Sequence, residues 1–214
     1  MEVIDYTSEK KQEWNEFVRK SVNGTFMFDR GYMDYHSDRF EDHSLIIRYK
    51  ESPLALLPAN QVDNTLISHG GLTFGGVIVD TDMTTSKIMD VFEALNKYFV
   101  KQNIDAVQYK SIPTIYQNYP IEGDQYALFR HNADLYRRDV TSAVPLTNKT
   151  EIKKNRQRSI NTAKESGVSI EKSNDLERYW DILRDNLEER HDTEPVHRLE
   201  EIELLHNRFP ENIQ

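Results

Sequence analysis

One stretch of this chain is too polar to be held by a core of its own. Residues 149 to 166 have the pattern of an isolated basic helix, carrying Lys149, Lys153, Lys154, Arg156, Arg158 and Lys164 against Glu151 and Glu165, in a chain whose net charge is −9. Asn148 and Glu151 have the spacing of a capping box, and Gly167 stands where a helix closes in the left-handed conformation. The apolar positions are few: Ile152, Ile160 and Ala163, with Arg156 on the same face midway between the two isoleucines. Such a helix needs other elements to hold it. It is therefore expected to end one unit, residues 1–146, and to open a second, 147–214. Arg156 is expected at least half buried, bonded to a carboxylate or to backbone carbonyls; a substrate phosphate is its alternative partner.

The first unit has a legible order of elements. Glu2 to Tyr6 has the pattern of a strand, and Thr7 or Ser8 that of a helix cap. Trp14, Phe17, Val18 and Val22 then give a helical stripe that Asn23 and Gly24 end. A second helical piece is expected over Arg30 to Arg39. Ser44–Tyr49 and Leu54–Ala59 are apolar runs on either side of Lys50-Glu51-Ser52-Pro53, which predicts an antiparallel hairpin. Ile88, Val91, Phe92, Leu95 and Phe99 form a full helical stripe from Thr84 to Asn103, followed by a buried strand at Ile104–Tyr109. Gly123–His131 is a short helix, and Asp134–Leu146 alternates enough to predict a long strand. The order predicts an α/β (α+β) fold, a three-layer domain with a mostly antiparallel mixed central sheet and helices on both faces. That sheet should include 43–60, 104–110 and 134–146.

After Gly167 the order starts again. Val168–Glu171 has the pattern of a strand, Asn174 and Glu177 that of a capping box, and Leu176, Tyr179, Trp180, Leu183 and Leu187 that of a buried stripe. Each of the two tryptophans stands six residues past its candidate cap, Ser8 or Asn174. A second helix follows at about 196–208. The second copy stops where its hairpin is due, so the chain is expected to be a truncated piece of a two-domain protein. Its incomplete helices are expected to pack on the first unit or to drive homo-oligomer formation.

Composition excludes several functions. With no cysteine there is no disulfide, thiolate nucleophile or Cys-ligated zinc. No apolar run approaches a membrane span and the N-terminus has no signal-peptide core, so a cytoplasmic location is expected. The acidic balance argues against broad nucleic-acid binding.

The run from Arg156 to Val168, RQRSINTAKESGV, followed by Glu189-Arg190-His191, resembles the FemAB-like branch of the GNAT acyltransferase superfamily. That branch joins two GNAT-like domains through an Arg-rich helix. The resemblance implies acyl or aminoacyl transfer to a small-molecule or peptide amine, with acyl-CoA or aminoacyl-tRNA as donor. It also implies a glycine-rich strand facing the substrate cleft, which makes His69, Gly70 and Gly71 site candidates. Taken alone, Gly70-Gly71 and Gly75-Gly76 match neither dinucleotide nor Walker spacing and mark a bulge or tight bend. The pyrophosphate turn of GNAT domains, Q/R-x-x-G-x-G/A, is absent, so the acyl-donor site is expected beyond residue 214. A non-catalytic GNAT-like binding module is the alternative.

Among the remaining candidates, His191 is a possible general base and Arg190 its neighbour, although both also complement the dipole of a helix C-terminus. Tyr109 could line a groove or lie at the core edge. His191, Glu194 and His197 lack the register of a helical metal site, and no metal is expected.

Overall fold

A computed structural model describes residues 1–147 and 151–214, which divide into two compact units. Met1–Tyr136 with Arg208–Ile213 forms one, and Arg137–Asn207 with Gln214 the other. The cap residue Asn148 and Lys149 lie outside the described residues.

The first unit is built on two sheets. β1 (Glu2–Asp5), β2 (Leu45–Tyr49), β3 (Ser52–Leu57) and β6 (Ile78–Val79) form an antiparallel sheet in the order β1-β2-β3-β6. Lys50 and Glu51, both at positive φ, close the β2–β3 hairpin where the sequence places its turn. Alternation along these strands sends side chains to two cores. Leu45, Ile47, Ala55 and Leu57 pack with Ile88, Val91, Phe92 and Leu95 of α3 (Thr85–Lys101), whereas Ile46, Leu56 and Ile78 pack with Trp14, Phe17 and Val18 of α1 (Lys11–Lys20). A one-residue slip would exchange both sets, so register is firmly specified. Each fully buried large side chain contributes roughly 1.5–3 kcal/mol. The Trp14 indole N–H also finds the Phe28 carbonyl at 2.8 Å. Thr84 caps α3 through the Lys87 N–H at 3.3 Å, as its sequence implies. The helical piece expected over Arg30–Arg39 is shorter: α2 (Arg30–Met33) passes into a 3₁₀ turn at Asp34–His36.

The single sheet expected from sequence is in fact two. Beyond β3 the chain passes Pro58 and continues as β4 (Asn60–Val62), which pairs with β5 (Thr65–Ile67); β7 (Ala106–Gln108) then pairs with β5 in parallel. The segment 104–110 therefore leaves the β2–β3 sheet for a second one, of order β4-β5-β7. Asp134–Leu146 is not a strand. Alternation supplies a face but not a ladder neighbour; among the described residues none pairs with it, and Val140 is 96% exposed. A short helix, α4 (Gly123–Arg130), packs on α3.

In the second unit α5 (Lys154–Glu165) is the basic helix, closed by Gly167 at φ 79° with a Val168 N–H to Ala163 carbonyl bond of 3.0 Å. α6 (Leu176–His191) is capped by Asp175, which accepts from the Arg178 N–H at 3.0 Å, one residue later than the Asn174 expected from sequence. α7 spans Leu199–Arg208. Val168–Glu171 forms no strand, and Ile170 is 98% exposed. Arg156 is exposed on a helix without a buried residue, which corrects the expectation of a buried ion pair. With Ile152 itself 57% exposed, its face has no core to enter. No helix among the described residues is long and apolar enough to cross a membrane.

Candidate functional site

Parallel pairing of β5 with β7 sets Thr65 opposite Ala106, Leu66 opposite Val107 and Ile67 opposite Gln108, so the carboxyl ends of the two strands lie side by side. In open sheets of parallel strands, the region beyond those ends is where ligands are held. Here β5 runs into Ser68-His69-Gly70-Gly71-Leu72 and β7 into Tyr109-Lys110.

Hydrogen bonds lock the two exits together. The Ser68 N–H reaches the Gln108 carbonyl at 2.9 Å, the Lys110 N–H reaches Ser68 Oγ at 2.7 Å, and the Gly75 N–H reaches the Lys110 carbonyl at 3.0 Å. His69 to Leu72 is a tight turn closed by the Leu72 N–H to His69 carbonyl bond of 3.1 Å. Lys110 Nζ donates to the His69 carbonyl at 2.7 Å and also to the Leu72 carbonyl. An ammonium therefore gathers two carbonyls of the turn on one side. Asn60 Oδ1 takes the Gly70 N–H at 2.5 Å. The Gly71 N–H makes no hydrogen bond among the described residues, and Gly71 is an exposed residue, which leaves a backbone donor for a ligand. Gly71 is also obligatory by space: a Cβ there would stand 2.5 Å from His36 Nε2 and 2.7 Å from Phe40.

Beneath the turn lies an aromatic stack. The Tyr35 and His36 rings are 4.3 Å apart, and His36 and His69 are 5.5 Å apart, both pairs nearly parallel. His36 Nδ1 lies 2.8 Å from the Met33 carbonyl, which fixes it as the protonated ring nitrogen. His69 is buried, and its Nδ1 has no partner among the described residues. Burial first, and the neighbouring His36 second, push the His69 pKa down to about 3, so its ring is neutral at physiological pH. Burial also draws the Lys110 pKa down.

Tyr109 closes the other side. Its hydroxyl accepts from the Val77 N–H at 2.9 Å and donates to Asp124 at 3.0 Å. Burial raises the pKa of both Tyr109 and Asp124.

Four sequence candidates thus come together: His69, Gly70 and Gly71 in the turn, and Tyr109 at the end of β7. The glycine pair is the tight bend that its local chemistry implies, and the unusual backbone belongs to His69, at φ 57°. The other three candidates stand in the second unit. His191 and Arg190 form the exposed last turn of α6, where they complement its dipole, and Arg156 lies on α5. His36, Asn60, Lys110 and Asp124 are site residues that sequence reasoning misses. Lys110 carries a signal, as the first cation after an apolar strand, whereas the others are placed only by the tertiary fold.

No family model matches the chain, and no curated protein matches its sequence. Among solved structures it is similar to the TTHA1254 protein of Thermus thermophilus, at 15% identity and a TM-score of 0.40, over 70% of this chain and 100% of that one. It is also similar to an apo aminoglycoside antibiotic 6'-N-acetyltransferase from Acinetobacter haemolyticus, at 12% identity and a TM-score of 0.35, over 71% of this chain and 100% of that one.

Proposed function

We propose that the chain serves GNAT-type or FemAB-like N-acyl transfer, in which an amine on a small molecule or peptide attacks an acyl-CoA or aminoacyl ester. One observation carries the reading. The Gly70–Gly71 turn, set at the paired carboxyl ends of β5 and β7, presents a free Gly71 N–H while Lys110 holds the turn's carbonyls away. A preorganised amide donor of this kind is suited to a developing oxyanion. The run from Arg156 to Val168, which forms the helix and glycine closure that the family resemblance calls for, supports the same reading.

His69 is not the base in this scheme, because a buried imidazole held near pKa 3 is too weak to take an amine proton. The same feature favours the second reading, a non-catalytic module that binds its ligand in the turn.

Radiolabelled acetyl-CoA with a panel of primary amines decides between them. Acetylated product that falls at least tenfold in Gly71→Ala supports transfer, since the added Cβ overlaps His36 and Phe40 and so shifts the Gly71 N–H off its aim while leaving it in the chain. Saturable amine binding without product supports the binding module. Neither product nor binding overturns both.

A further inference from the structure

A second polar constellation lies at the edge of the antiparallel sheet, where β1 ends and β2 begins. Asp5 closes β1, His43 precedes β2, and Tyr98 projects from α3; together with Asp42, Ser44 and Gln102 they line a cavity of about 240 Å³. None of these residues takes part in the glycine turn.

The hydrogen bonds there have one direction. The Tyr98 hydroxyl donates its only proton to Asp5 Oδ1, so the phenol oxygen must act as acceptor towards His43 Nε2, 3.0 Å away. His43 is therefore held with Nε2 protonated, and its ring lone pair is on Nδ1. The relay runs from His43 through Tyr98 to Asp5, ending on a carboxylate.

Charge around the cavity is unevenly answered. Asp42 is paired with the Arg30 guanidinium at 3.0 Å, and Asp34 with the same guanidinium at 2.6 Å and with Lys11 at 3.4 Å, so both of these carboxylates are answered and Asp5 is not. Asp5 has no lysine or arginine at ion-pair distance among the described residues; the His43 ring nitrogen Nε2 lies 3.9 Å from it. Its second oxygen, Oδ2, receives no hydrogen bond within the described residues, and its side chain is 62% exposed. Acceptors and uncompensated negative charge thus converge on a recess sized for a few heavy atoms.

We propose that this cavity binds a small primary ammonium, with Asp5 as the counter-ion and the Asp5–Tyr98–His43 relay fixing the ring that lines it. An ammonium supplies three donors to a site rich in acceptors, and its charge answers the carboxylate that the fold leaves unpaired. The inference stands apart from the acyl-transfer reading, since it uses no residue of the turn.

The test is a titration of the intact chain with propylammonium chloride, at fixed ionic strength, followed by ring proton–carbon and imidazole nitrogen NMR. His43 is assigned from the spectrum of His43→Gln. The expected result is a saturable shift of the His43 ring signals, absent with sodium propionate and with sodium chloride, and weakened about tenfold or more in Asp5→Asn, as for loss of a charge-assisted bond. Without ligand, the His43 nitrogens should report the Nε2-protonated tautomer, and Tyr98→Phe should abolish that preference. Unchanged signals from the other histidines show that each variant remains folded. No saturable shift at tens of millimolar amine, an equal shift with sodium, or binding indifferent to Asp5→Asn would each overturn the proposal.

Discussion

The Arg30 guanidinium lies 3.9 Å from the centre of the Tyr6 ring while its Nη2 bonds Asp34 at 2.6 Å and Asp42 at 3.0 Å. Ser44 Oγ completes the set by donating to Asp42 at 2.6 Å, so the approach to β2, α2 and the exit of the first strand meet on one buried cation. Removing that cation leaves the partly buried Asp42 without a cationic partner among the described residues, and Asp34 with Lys11 alone, at 3.4 Å. Arg30→Ala should therefore destabilise the chain by about 3–5 kcal/mol, the range for breaking a buried pair. Urea denaturation followed by tryptophan fluorescence measures this, with Trp14 beside the site as reporter. A loss below about 1 kcal/mol would show the network to be ornamental.

Tyr109 is expected to matter through two bonds. In Tyr109→Phe the Val77 N–H loses its acceptor and Asp124 loses a donor, each in a partly or fully buried setting. The cost should be about 1–3 kcal/mol by the same denaturation assay. Phe99→Tyr, which adds a hydroxyl in the same core cluster without touching this pair, is a useful contrast.

Gly76 tests the same contact from the other side. Its φ of 90° is one that other residues rarely adopt, and a Cβ there would stand 2.8 Å from the Tyr109 hydroxyl and 2.9 Å from the ring carbon that bears it. Gly76→Ala should cost at least about 2 kcal/mol, from backbone strain and overlap together. Tyr109→Phe should not rescue it, because the ring carbons remain in the way. Full rescue in the double variant would place the conflict on the hydroxyl alone.

The two helical stripes of the first unit were legible because a helix carries its own hydrogen bonds and needs only one apolar face, whereas the stripe from Leu176 to Leu187, expected buried, has no buried residue on α6. Trp14, Phe17 and Val18, and Ile88 through Phe99, are buried as their spacing implies. The β2–β3 hairpin was legible for a similar reason, since its partner follows at once in sequence. Asp134–Leu146 has the right alternation and no partner, and alternation cannot report that. The division into two sheets depends on where the chain bends after Leu57, a tertiary matter that Pro58 only hints at. Arg156 misled because its place between two isoleucines implies a buried face only if something covers that face. In the site, the glycines were visible as a bend, but the His36–His69 stack joins residues far apart in sequence, and no local pattern marks it.

The buried His69 gives the chain a pH dependence of defined sign. Its pKa falls from 6.5 to about 3 on folding, so between those values the unfolded chain binds a proton that the folded chain refuses. Stability must then fall as pH drops below about 6.5, by at most about 1.4 kcal/mol per pH unit for one group. Asp124 acts in the opposite sense: burial raises its pKa above 3.8, so the folded chain takes up that proton first and gains stability on acidification. Asp124 is present in both the parent and a His69 variant, so its contribution cancels when the two are compared. His69→Asn is the informative variant, since asparagine is neutral and tolerates the φ of 57° found there. Urea titrations at pH 6 and pH 5 should show the parent losing about 1 kcal/mol more than His69→Asn over that unit. Parallel curves for the two proteins would mean that His69 takes up its proton without unfolding, and that the imidazole is far less enclosed than the stack with His36 implies.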